Sequence, residues 1–138
     1  MALHLIKLCV GVSEIEEMKS WVKISKNSNE ELDHVTRMFP RRSHEIVPGG
    51  SLYWVIRGMI LCRQPIADLQ EVVGVDGIGR CRILFKQQII LVRPTPRRPF
   101  QGWRYLPADD APKDIPKGEK IDALSDQMRR ELALLGLI

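Results

Sequence analysis

The chain begins with a short apolar run, LHLIKLCV (3–10), free of proline and glycine, the pattern of a strand covered on both faces. The period then changes. In SEIEEMKSWVKI, Ile15, Met18 and Val22 recur at helical spacing, and Ser13 with Glu16 three residues on makes a capping box, so a helix starts here. It is expected to fade in the polar stretch SKNSNEELD (25–33), read as a surface loop. HVTRMF (34–39) has the make-up of a short strand and ends at Pro40. RRSHEIV (41–47) suits one or two helical turns, stopped by Pro48 and the pair Gly49–Gly50.

Beyond residue 50 the pattern turns to β-branched and aromatic residues. SLYWVIRGMILCRQPIADLQEVVG (51–74) reads as two or three strands, broken at Gly58 and Pro65. Asp76–Gly77 signals a hairpin turn. RCRILFKQQIILVR (80–93) follows, with a turn expected at Lys86–Gln88. PTPRRPFQGW is too rich in proline for a regular element and reads as an extended loop, ending in a short strand WRYL. Residues 107–120 read as a surface connection. LSDQMRRELALLGLI reads as a C-terminal helix, capped by Ser125, stopped near Gly136, with Leu124, Met128, Leu132 and Leu135 as its docking stripe.

Strands therefore cluster instead of alternating with helices. That argues for a single domain (1–138) of the α+β class, a small mixed and mostly antiparallel β barrel with an N-terminal and a C-terminal helix packed on it. Strand parity assigns the faces. Leu52, Trp54 and Ile56 share the better core face, leaving Tyr53 and Arg57 two apart on the outer one. Cys81, Ile83 and Phe85 point inward, Arg80 and Arg82 outward.

Composition adds little to this until charge is placed along the chain. With 138 residues, 44% apolar and 28% charged, the chain has the make-up of an ordinary globular domain. The N-terminal apolar run carries Lys7 and lacks a small-residue cleavage site, so no signal peptide is expected, and no stretch approaches the roughly 18 apolar residues of a membrane span. Three widely spaced cysteines, Cys9, Cys62 and Cys81, argue against a disulfide framework and for the cytoplasm. The net charge of +4 is uneven: residues 37–104 hold 11 arginines and one lysine against four carboxylates, while the rest of the chain is net acidic. Arginine's planar fork suits phosphate, carboxylate or aromatic faces.

Candidate chemistry narrows quickly. His4, His34, His44 and the cysteines lack metal-site spacing, so no metal and no cofactor is expected. No G-x-S-x-G is present, and Cys62 beside Arg63 reads as a buried thiol. GVDGIG (74–79) precedes a strand where a phosphate loop needs a helix, so it reads as a hairpin. What remains is cations interleaved with rings, above all PRRPFQGWRYL (96–106). Tyr53, Arg57, Arg97, Arg98, Trp103, Arg104, Arg37 and His34 are the candidate ligand-binding residues: arginines for phosphate, rings for stacking on exposed bases. The competing reading is that Phe100 and Trp103 plug one end of the barrel with their arginines stacked on them.

The stretches LHLIKLCVG, HVTRMFPRR, GGSLYWVIRG, GRCRI and RRPFQGWRYL, with the closing ELALLGLI, resemble an uncharacterised family of small bacterial proteins catalogued as a domain of unknown function. The resemblance covers nearly the whole chain and carries no catalytic residue with it. By element order and by YWVIRG…CRQPIADLQEV, the chain is also similar to the PUA-like superfamily, named for pseudouridine synthases and archaeosine transglycosylases. That second likeness implies a small barrel that binds RNA or modified bases. The first functional expectation is therefore binding of RNA or a nucleotide-like anion through the central arginines. The alternatives are an enzyme acting on a nucleotide or nucleic acid with His34 or His44 as acid or base, and a protein-interaction module.

Overall fold

A computed structural model of the chain describes residues 3–9, 15–28, 32–115 and Met128. In chain order the elements are β1 (His4–Leu8), α1 (Ile15–Ser28), β2 (Leu32–Thr36), α2 (Ser43–Ile46), β3 (Ser51–Ile56), β4 (Met59–Val73), β5 (Gly79–Phe85), β6 (Ile90–Pro96) and β7 (Trp103–Leu106), with a 3-10 turn at Ala108–Asp110. The result is a strand-rich α+β fold with few helices. The capping box at Ser13 and the C-terminal helix, Met128 apart, lie outside the described residues.

The seven strands form one sheet in the order β2-β5-β4-β3-β1-β7, with β6 also paired to β4. β1 and β3 run parallel, and the other strand pairs are antiparallel. The sheet is not closed into a barrel, which corrects the expected architecture: β2 and β7 stand at opposite ends of the strand order and do not pair. Closure needs a consistent tilt and stagger around the whole sheet. Here β4 diverts the sheet instead. Its first half pairs with β3 and with β6, and its second half pairs with β5, with a register shift between Ile66 and Asp68. One long strand thus belongs to two layers.

Pro65 does not break this strand. It lies opposite Ser51, and its carbonyl accepts a hydrogen bond from the Lys86 amide at 2.9 Å. A proline lacks only its amide donor, and a strand changing partners has no need of that donor there. Pro94 and Pro96 fall inside β6, where a loop was expected from residue 94 onward: Pro94 lies in the register irregularity between the Cys62–Leu91 and Ile60–Thr95 pairs, where no ladder bond needs its amide, and Pro96 is the last residue of the strand. The α1 helix runs on to Ser28, and β2 begins at Leu32, where it meets Phe85 of β5. Pairing with β5 outweighs the local polarity that suggested a loop.

The core has two parts, one on each face of β1 and β3. Leu5, Leu52, Trp54 and Ile56 pack with Cys81, Ile83 and Phe85 from the second layer, with Met18 of α1 and Ile46 of α2. On the opposite face Ile6, Tyr53, Val55, Ile60, Val92 and Leu106 form a smaller cluster, with Phe100 and Ala111 packed over it. Parity therefore reads β3 and β5 correctly, but every residue of β3 is buried. Burying a Leu- or Ile-sized side chain is worth roughly 1.5–3 kcal/mol, so both clusters hold the sheet in place. Among the described residues, no helix is long and apolar enough to cross a membrane.

Candidate functional site

Several arginines are met by carboxylates, two of them from distant parts of the chain and two from a few positions away. Arg63 grips Asp114 with two hydrogen bonds of 2.8 Å and donates a third to Ser51 Oγ at 2.7 Å. Arg80 bonds Asp76 across the β4–β5 turn at 2.7 and 3.0 Å, which holds the Asp76 carboxyl well below the usual carboxylate range. Arg82 pairs with Asp33 of β2, and Arg42 pairs with Glu45 one turn on.

Arg97, Arg98 and Arg104 differ. Among the described residues, no carboxylate lies within ion-pair distance of any of the three. With Pro96, Pro99 and Phe100 they line one shallow, open concavity at the end of β6 and the start of β7. The Arg104 guanidinium lies 4.6 Å from the Phe100 ring centre and that of Arg97 lies 5.7 Å from it. Such contacts contribute about 0.5–1 kcal/mol each at exposed sites. The β3–β4 hairpin reaches the same place, because the Arg97 amide donates to the Gly58 carbonyl at 2.9 Å. Arg57, at the tip of that hairpin, has φ +51°, a left-handed conformation costing a residue with a side chain roughly 1–2 kcal/mol.

Other predicted residues lie elsewhere. Tyr53 is buried, not outward-facing, because residues 100–111 cross the face that parity left open. Its ring packs edge-on against His4 at 5.1 Å. Trp103 donates its Nε1–H to the Met38 carbonyl at 2.7 Å and packs on the larger core cluster, so it is pinned to the protein itself. Arg37 is exposed just past the end of β2 and is not among the residues lining the arginine concavity. His44 is exposed on α2, beside Glu45.

His34 lines a different feature, a cavity of about 240 Å³ between α1 and the two layers of the sheet. Met18, Val22, Leu32, Trp54 and Phe85 supply its apolar wall. The imidazole meets Trp54 edge-on at 5.5 Å, and its Nε2 is buried without a hydrogen-bond partner. A buried polar atom left unpaired costs about 1–3 kcal/mol. Burial, reinforced by the charge of Lys7 and opposed by Asp33, holds the His34 pKa below histidine's ordinary value, which keeps the ring neutral. Trp54 Nε1–H is satisfied by Gln64 Oε1 at 2.7 Å. Parity reads Trp54 as core and does not reveal this cavity. Gln64, a polar residue in an otherwise inward-facing apolar row, is the one sequence signal that points to it.

Among the described residues the cavity lining holds no arginine and no hydroxyl; its charged members are Lys7 and Asp33. Cys9 is at its edge, and burial pushes that thiol up to about 11, as it does Cys81. Cys62 is fully buried. GVDGIG forms the β4–β5 turn as expected, with Gly77 at φ +78°. Among the described residues, no group of three or more His, Cys, Asp or Glu side chains is placed to hold a metal ion.

Comparison with known proteins adds a family and nothing beyond it. No curated protein and no solved structure matches the chain, so the likeness to the PUA-like superfamily gains no support from them. A family model described as "Protein of unknown function (DUF1489)" matches residues 5–138, nearly the whole chain, and the chain belongs to that family.

Proposed function

We propose that the chain binds RNA by its phosphates, through Arg97, Arg98 and Arg104, with Arg57 at the rim. One observation carries this reading. Two guanidiniums share a single ring, with a third beside them along the same concavity, and among the described residues no carboxylate of the chain neutralises them. Like charges gathered this way repel one another, and an incoming polyanion relieves that repulsion while releasing its counterions.

Stacking on bases has less support. Trp103 and Tyr53 are engaged in the fold, and Phe100 already carries guanidiniums on its ring. Contact is therefore with phosphate, and sequence preference is weak. The test is anisotropy of a labelled single-stranded RNA over a salt series. Three phosphate contacts give a log–log slope of about −2, and Arg97→Ala with Arg98→Ala reduces it by about 1.4. An affinity and slope unchanged in that double variant overturn the proposal. A free nucleotide that competes as well as the polymer assigns the site to a small phosphate ester instead.

A further inference from the structure

The cavity beneath α1 shares no lining residue with the arginine concavity, and its chemistry is different. At about 240 Å³ it exceeds the roughly 150 Å³ apolar void that accommodates benzene, and it falls just short of the range of sites for drug-sized ligands. Met18, Val22, Leu32, Trp54 and Phe85 make most of its wall apolar.

One polar group in that wall is left over. Gln64 is 4% exposed and lines the cavity from β4. The Trp54 Nε1–H can only donate, so it fixes the orientation of the Gln64 amide: Oε1 meets the indole at 2.7 Å, and the NH2 group takes the other side. That group carries two donors, and among the described residues no acceptor lies within hydrogen-bond distance of it. Unlike His34 Nε2, it is not sealed off by the surrounding protein. A donor at an apolar cavity is best satisfied by an acceptor that arrives with an apolar body.

Charge does not favour an ion. Lys7 and Asp33 both line the cavity, and Glu17 lies close enough to Cys9, at its edge, to act on that thiol against Lys7. The opposite charges offset one another, and an apolar wall penalises bringing a further charge in.

We infer that this cavity is a binding site for a small, neutral, mostly apolar molecule carrying a carbonyl oxygen, which accepts a hydrogen bond from Gln64 Nε2–H. Its hydrocarbon part lies against Trp54, Phe85 and the aliphatic side chains of α1 and β2. The Gln64 amide then joins the ligand and the Trp54 N–H in one chain of hydrogen bonds. Neither the family description nor the RNA reading assigns this site.

The test uses the whole chain, with acetophenone, ethylbenzene and benzoate as probes, followed by proton–nitrogen NMR and calorimetry. The first two match in shape and differ in the carbonyl, and benzoate adds a charge. A plain apolar void prefers ethylbenzene, the less water-soluble of the pair. The expected result is saturable binding of acetophenone, at least as tight as that of ethylbenzene, with shifts at the Gln64 side-chain NH2 and the Trp54 indole N–H. Benzoate binds about tenfold more weakly. Gln64→Met, which keeps the length of the side chain and removes the donors, weakens acetophenone about tenfold and leaves ethylbenzene unchanged. Where that variant fails to fold, the order of acetophenone and ethylbenzene in the unaltered chain decides. The inference is overturned if no probe perturbs Gln64 or Trp54 up to its solubility limit, if ethylbenzene binds more tightly than acetophenone, or if benzoate binds as well as acetophenone. None of these outcomes bears on RNA binding, which is read at Arg97 and Arg98.

Discussion

At the scale of single residues, Gly50 is closely constrained by backbone on two sides. Its amide donates to Ile46 at 2.7 Å, its carbonyl accepts from Ile66 at 3.0 Å, and a Cβ there would lie 2.5 Å from both the Ile46 and the Leu3 carbonyl oxygens. Backbone atoms of α2 and of the chain entering β1 cannot yield as a side-chain end can. Gly50→Ala is expected to cost about 1–3 kcal/mol, a drop of several degrees in the thermal midpoint. Gly79→Ala, where a Cβ meets nothing within 4 Å, is the matched control and stays within about 0.5 kcal/mol. The sequence marks Gly49–Gly50 as a helix stop. It does not reveal the close approach, which depends on a segment more than forty residues away. Tyr53 and Trp103 fall under the same limit: their type suggests a stacking platform, and the neighbours that occupy them come from elsewhere in the chain.

At the scale of elements, residues 113–115 act as a strap along β6. The Arg93 amide donates to the Lys113 carbonyl and the Ile115 amide to the Leu91 carbonyl, each at 2.9 Å, and Val92 pairs with Asp114. The Arg63–Asp114 fork ties this strap to β4. Both partners are partly exposed, so the pair itself is worth little, but Arg63 is the more covered of the two, with 20% of its side chain exposed. Asp114→Ala is expected to lower stability by about 1 kcal/mol, with the loss of amide-exchange protection concentrated at 91–93 and 113–115. Adding Arg63→Met recovers part of the loss, because it removes the charge left without its partner. Denaturant midpoints of the three variants check this. The strands themselves are legible in advance, because alternation and turn residues are local properties. The strap is not, since residues 107–120 read as a plain surface connection, and Lys113, Asp114 and Ile115 within them pair only once β6 is in place.

At the scale of the whole molecule, acid sensitivity follows from two histidines in separate elements. The His4 Nδ1 accepts a hydrogen bond from the Ser51 amide at 2.9 Å, which requires an unprotonated ring, and burial lowers its pKa. His34 is lowered by burial as well. The folded chain therefore takes up protons less readily than the unfolded one. The stability associated with both rings is complete above about pH 6.5 and is lost as pH falls through that value toward the lowered ones. The urea midpoint is expected to be lower at pH 5.5 than at pH 7.5, and His34→Gln to flatten part of that slope. A midpoint that rises on acidification contradicts the burial of both rings. Hydrophobic period, β-branched composition and turn chemistry were enough to predict an α+β chain, most of its elements and the inward faces of β3 and β5, because each signal acts over a few neighbouring residues. The open form of the sheet, the covering of Tyr53 and the pairing of Arg63 and Arg82 were not open to that reading. They arise when β4 passes from one layer to the other, when residues 100–115 fold across β3, and when Asp33 and Asp114 reach Arg82 and Arg63 from about fifty positions away, contacts that exist only once the chain has packed.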